Sequence, residues 1–215
     1  MGVLAVGVVL YGFSFTIRDA LLHPAFPLPT VLFVHAAVFF FWLLLFILQG
    51  SLVNARRADL HRRIGPVGLV LGATIPVLGV ATAITMTRLH VSHGDVGVAD
   101  SFPIPIWDMA TFTTAFTLAA LWRRRPDYHR RLMWIATCAL TAAAWGRMPF
   151  LDHAEWFYVG VDALIVVAAV RDWIEFGAIH VVFKVAIPAI IAGQFLLAWL
   201  RWSPWWLHMA PDFFK

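Results

Sequence analysis

Residues 30–53 read TVLFVHAAVFFFWLLLFILQGSLV, twenty-four positions without a Lys, Arg, Asp or Glu. A helix that crosses a hydrocarbon layer of about 30 Å needs roughly 20 such residues, because each adds only 1.5 Å of rise. This stretch therefore decides the fold: it is a membrane-spanning helix, and its neighbours repeat the pattern. Around it, the 215-residue chain is 61% hydrophobic and 13% charged, too little polar surface for a water-soluble globule. Further spans are expected at about 2–17, 64–86, 104–122, 132–150, 156–170 and 180–200.

The fold class is then all-α, a polytopic transmembrane helical bundle of seven spans, with 1–215 as a single domain. Six spans is the alternative count, with the first lost as an interfacial or cleaved segment. Residues 1–17 carry no Lys or Arg ahead of their apolar run and no small-residue cleavage pattern, so an uncleaved first helix is expected. Composition also excludes whole classes. The single Cys138 cannot close a disulfide alone, and the arginines flank spans rather than forming a nucleic-acid surface. The lipid bilayer is the expected partner, with room for a membrane-complex partner and none for nucleic acid.

Orientation follows from the basic residues. Arg56, Arg57, Arg62, Arg63, Arg123, Arg124, Arg125, Arg130, Arg131, Arg171 and Lys184 fall in one alternating set of loops and helix ends, against Arg18, Arg88, Arg147, Arg201 and Lys215 on the other side. The positive-inside rule puts the first set in the cytoplasm, with the N-terminus inside and the C-terminus outside a bacterial inner membrane. Trp107, Trp122, Trp156, Trp173, Trp202, Trp205 and Trp206 fall near predicted span ends, where an indole buries its ring and keeps its N–H wet. The stretch 87–103 is expected to be an outside loop with turns.

Two loops on the basic side echo each other. Arg56-Arg57-Ala58-Asp59-Leu60-His61-Arg62-Arg63-Ile64 recurs in register as Arg124-Arg125-Pro126-Asp127-Tyr128-His129-Arg130-Arg131-Leu132. Each precedes a new span, so spans 2 to 5 read as a duplicated helical hairpin. In a structural reading, Asp59 and Asp127 cap the following helices while the arginines meet headgroups. In a functional reading, His61 and His129 form a pair at the cytoplasmic end, joined by His180, that holds a haem, a metal or a proton.

Ionisable residues inside apolar spans are costly and normally face a partner or a cavity. His35, Asp108, Arg147 and Asp162 lie about 5–10 Å from the outside ends of four predicted spans. One Arg cannot neutralise two Asp, so a compact layer needs a protonated His35, a protonated Asp or a bound cation. Above it the outside loops add His23, the run His90-x-x-His93-x-Asp95, and Asp152-His153-x-Glu155. Imidazole with carboxylate suits a transition metal, which makes His35, His93, Asp108, His153 and Asp162 candidate metal or cofactor ligands, with Arg147 balancing charge. An Arg–Asp clamp between helices, with His35 bonded to a backbone carbonyl, explains the same residues as packing. Gln49 and Gln194 are expected to hydrogen-bond between helices. Lys184, close to its span end, can snorkel to the interface and is no evidence of a Schiff base.

These ordered motifs, from His35 through Asp59-x-His61-Arg62-Arg63-x-Gly65, Trp107-Asp108 and Pro126-Asp127-x-His129-Arg130-Arg131 to Arg147, Asp162 and His180, resemble a family of polytopic bacterial membrane proteins of uncharacterised activity. That resemblance implies a helical bundle and brings no catalytic assignment. A looser similarity is to diheme b-type cytochrome bundles, which place His pairs near both faces; it implies His35 with His153 or His93 outside and His61 with His129 inside, around haem b. Two functions are consistent with these residues: a redox or metal- or haem-binding membrane protein with an outside-facing His/Asp site, or a non-enzymatic accessory or assembly subunit, or small-solute or proton conduit, in which the polar layer is structural.

Overall fold

The protein, seen here as a computed structural model, is described over residues 1–151 and 156–214. It is 84% helical, with no strand among the described residues. In chain order the helices are α1 (Gly2–Ser14), α2 (Ile17–Leu22), α3 (Thr30–Asn54), α4 (Ala58–Ser92), α5 (Pro103–Leu121), α6 (Pro126–Ala139), α7 (Ala142–Trp145), α8 (Phe157–Phe176), α9 (Val181–Arg201) and α10 (Pro204–Phe214). Short 3-10 turns occupy Val96–Ser101 and Pro149–Leu151. Four segments are long and apolar enough to cross a membrane: Thr30–Asn54, Ala58–Ser92, Val96–Leu121 and Val181–Arg201.

The remaining expected spans take different forms. The segment expected to span 132–150 breaks at Leu140 and Thr141, where the Thr141 N–H and hydroxyl both donate to the Cys138 carbonyl. Helix α8 runs on to Phe176 and carries Asp162, Arg171, Asp172 and Glu175, so it is long but too charged to qualify by composition. The expected 64–86 span is the middle of α4, whose 35 residues measure about 52 Å at 1.5 Å each. Helix α4 continues to Ser92, so most of the stretch read as the loop 87–103 is instead the end of α4 and a 3-10 turn. The apolar periodicity fades there before the helix does.

Packing explains which helices neighbour which. Consecutive helices α3, α4, α5 and α6 pack in sequence, and α8 and α9 close against α5 and α6. Trp42 of α3 lies at the centre, 2% exposed, edge-on to Phe112 and Phe116 of α5, with its indole N–H donating to Thr137 Oγ1 of α6 at 3.3 Å. Helix α4 approaches α5 through Gly72 against the Phe116 ring and Gly79 against the Met109 sulfur, and a methyl group at either position would overlap its neighbour. Small residues that let backbones approach are the usual basis of helix packing in lipid, where the hydrophobic effect between helices is absent.

Candidate functional site

The arginine-bearing loops meet at one end of the bundle. The rings of His61, in the first turn of α4, and His129, in the first turn of α6, lie 6.3 Å apart between centroids and nearly perpendicular at 85°. Each anchors back to the helix before it. His61 Nδ1 lies 3.4 Å from the Gln49 carbonyl oxygen of α3, and His129 Nδ1 lies 2.9 Å from the Ala119 carbonyl oxygen of α5. A carbonyl only accepts, so Nδ1 is the donor in both contacts, which points Nε2 of each ring away from these carbonyls.

The same helix α6 carries one member of a buried ion pair. Arg131 of α6 and Asp172 of α8 are 6% and 7% exposed and joined by two parallel hydrogen bonds, Nε to Oδ2 and Nη2 to Oδ1, the second at 2.9 Å. Arg131 Nη1 also donates to the Asp127 carbonyl at 2.7 Å. The His180 ring packs edge-on against Tyr128 at 4.8 Å, which in turn packs on Trp122. His180 Nδ1 accepts the Val182 N–H at 3.2 Å and so caps α9. Burial, then the nearby Arg131, keeps His180 below its ordinary pKa against the opposing pull of Asp172 and Asp127.

Asp59 and Asp127 do not cap their helices as expected. The cap positions are Arg57 and Arg125, without a side-chain cap bond, and both carboxylates sit in the first turn instead. There Asp59 pairs with Arg57 at 3.2 Å, and Asp127 lies 3.6 Å from Arg130 and Arg131. They still favour the positive dipole end, through position rather than capping.

At the opposite end the expected compact layer separates into independent pairs. Tyr158 Oη of α8 donates to Asp108 Oδ1 of α5 at 3.0 Å, and Gln194 Nε2 of α9 donates to Asp162 Oδ1 of α8 at 2.9 Å. Arg147 donates to the Ala143 carbonyl of its own segment and places its guanidinium over the Phe13 ring at 4.3 Å. Among the described residues it pairs with neither Asp, so the Arg–Asp clamp is replaced by neutral donors. The His35 ring lies 4.0 Å from that of Phe39, tilted by 30°, and hydrogen-bonds to the Leu78 backbone, while its Nδ1 is buried without a partner.

The histidine run beyond it is likewise divided. His90 in the last turn of α4 pairs with Asp95 at 3.1 Å, whereas His93 Nδ1 turns to the Leu89 carbonyl at 2.8 Å. The Phe26 ring contacts both, 4.9 Å from each. Among the described residues no three His, Cys, Asp or Glu side chains are grouped to hold a metal ion, so His35, His93, Asp108 and Asp162 do not form one ligand set. Asp152, His153 and Glu155 lie outside the described residues.

Gln194 bridges helices as expected, while the Gln49 side-chain oxygen is buried without a partner and its backbone serves His61. Lys184 is exposed and enters neither cluster. Sequence reasoning overlooked Arg131 as a buried charge, along with its partner Asp172. Spacing gave no signal for it, because α6 is buried on almost every face from Arg131 to Ala139. No protein-family model matches the chain, and no curated protein or solved structure is significantly similar to it.

Proposed function

We propose that the chain is an integral membrane protein that binds haem b or a transition metal through His61 and His129. The observation that carries this reading is the pair's geometry: two imidazoles with centroids 6.3 Å apart, each held through Nδ1 by a backbone carbonyl. Ligating histidines are characteristically oriented in this way through their second nitrogen. Held this way, His61 and His129 would be the residues to bind the group, which would supply redox chemistry at this end of the bundle. Two protein ligands would suffice for a haem, whereas a bare metal ion would need a third, which no His, Cys, Asp or Glu among the described residues supplies here. This reading rests on the arginine-rich end rather than on the outside-facing His/Asp layer.

The membrane setting belongs to the same proposal. Helix α1, the broken α6–α7 segment and α8 complete seven passes, the arginine-rich end faces the cytoplasm of a bacterial inner membrane, and α3 to α6 are a duplicated hairpin. Matching carbonyl anchors on His61 and His129 support the duplication, and the arginine asymmetry supports the orientation. The test is an oxidised and dithionite-reduced optical spectrum with elemental analysis on protein purified from haem- and metal-supplied cells. A reduced b-type band or stoichiometric metal, lost in both His61→Ala and His129→Ala and kept in His35→Ala, is expected. A colourless, metal-free wild type overturns the proposal.

One observation favours the second reading, a non-enzymatic accessory subunit or conduit. The Tyr158–Asp108 and Gln194–Asp162 bonds join α5, α8 and α9 by neutral donors, as interhelical glue does.

A further inference from the structure

Helix α10 divides its circumference into three sectors. At about 100° per residue, Trp206, Leu207, Ala210, Pro211 and Phe214 form one continuous sector facing the protein. Ala210 and Phe214 pack with Val91 and Ala99, and the Trp206 indole donates to the Asp100 carbonyl at 3.2 Å. Trp205, Met209 and Phe213 form a second sector, 60%, 45% and 66% exposed. Pro204, His208 and Asp212 form the third, also exposed. A helix in water needs one apolar sector for its protein and no other. Here a second apolar sector lies between the protein-facing and polar ones.

We infer that α10 lies in the plane of the membrane interface, its Trp205–Met209–Phe213 stripe seated at the headgroup–acyl boundary and its His208–Asp212 stripe in water. The occupant follows from continuity. Helix α9, which enters α10 through the turn at Trp202 and Ser203, exposes Phe195, Leu196 and Trp199 on its membrane-spanning length. The stripe on α10 continues that apolar surface past the turn, with tryptophans at the junction where aromatic side chains favour the interface. Ser203 fixes the turn by accepting the Trp206 N–H at 3.2 Å, and Arg201 donates to Ser101 at 2.9 Å. The 3-10 turn Val96–Ser101 and the end of α4 form the shelf on which α10 rests. This inference is independent of any bound metal.

The experiment places single nitroxide labels at His208→Cys, Met209→Cys, Ala210→Cys and Phe213→Cys in a Cys138→Ala background, with one protein per lipid nanodisc. Collisions with oxygen, which partitions into lipid, and with a water-soluble nickel chelate are compared. Labels at 209 and 213 are expected to favour oxygen, and the label at 208 to favour nickel. The label at 210 should be shielded from both. Nickel access at 209 and 213, or shielding of both from either reagent by a second copy or another protein, overturns the inference. Should the cysteine-free background not fold, Trp205→Phe in the native chain answers the same question. In vesicles with brominated acyl chains it must lose part of the lipid-quenched tryptophan emission, and unchanged quenching overturns the inference.

Discussion

Arg131 and Asp172 stand 41 residues apart in sequence and meet side-on, guanidinium edge to carboxylate edge, where α6 crosses α8. Removing one partner strands the other charge out of water, which generally costs about 3–5 kcal/mol. Arg131→Met and Asp172→Leu should each lower the unfolding free energy in detergent by an amount in that range. The double replacement Arg131→Met/Asp172→Leu should recover most of the loss, because no unpaired charge remains. Additive losses in this cycle would show that the pair is not the unit the geometry describes.

Close approach of α1 gives a second prediction. A methyl group at Gly12 would collide with the backbone carbonyl of Ala144 in α7, which cannot rotate aside, whereas one at Gly7 meets nothing within 4 Å. Gly12→Ala should detach α1, exposing it to proteolysis and lowering the melting temperature. Gly7→Ala should be neutral or stabilising by up to about 1 kcal/mol, the usual gain of Ala over Gly within a helix. Equal behaviour of the two variants would contradict the docked position of α1.

What the sequence revealed and concealed can be judged residue by residue. Residues 30–53 announce α3 because their apolar run is long and uninterrupted. Nothing in composition marks the break at Leu140–Thr141, since threonines make the same hydroxyl-to-carbonyl bond inside the unbroken α4 and α5. The repeated Asp-x-His-Arg-Arg pattern pointed to His61 and His129, and the structure brings those rings together. It could not reveal that their Nδ1 atoms turn to Gln49 and Ala119, since that depends on how far each loop folds back. Charge counting placed Arg147 with Asp108 and Asp162 by depth alone. Depth fixes height along the bundle axis and leaves azimuth open, and Arg147 points instead toward Phe13.

Acidity should loosen the start of α9. His180 Nδ1 must be unprotonated to accept the Val182 N–H, and its pKa in the fold lies below the 6.5 of a free imidazole. Below pH 6.5 the unfolded chain takes up more protons at this residue than the folded one. Stability therefore falls as pH drops through that value toward the lower folded pKa. The groups facing the ring are Arg131 and Arg130, which oppose its protonation, and Asp172 and Asp127, which favour it. Unfolding followed from pH 7.5 to 5.5 should show a loss in the wild type. His180→Asn can cap without titrating, so its profile should be flatter. Parallel profiles would assign the acid sensitivity to other groups.

The carboxyl of Asp108 separates the structural reading of the outer polar pairs from a conducting one. From Asp162 to Asp172 along α8 is ten residues, about 15 Å of helix, and the buried side chains between them are Leu164, Ile165, Ala168 and Ala169. A proton leaving the Asp108–Asp162 region toward Arg131 and His180 meets only apolar groups on the buried face of this helix. If the pairs are interhelical glue, Asp108→Asn keeps the carbonyl that accepts the Tyr158 hydroxyl, and stability should stay within about 1 kcal/mol of wild type. Asp108→Leu deprives that buried hydroxyl of this acceptor, and a loss of about 1–3 kcal/mol is expected. Proton flux into vesicles carrying the wild type should match that of empty vesicles. A flux that Asp108→Asn abolishes while leaving stability intact would replace the structural account of this layer with a conducting one.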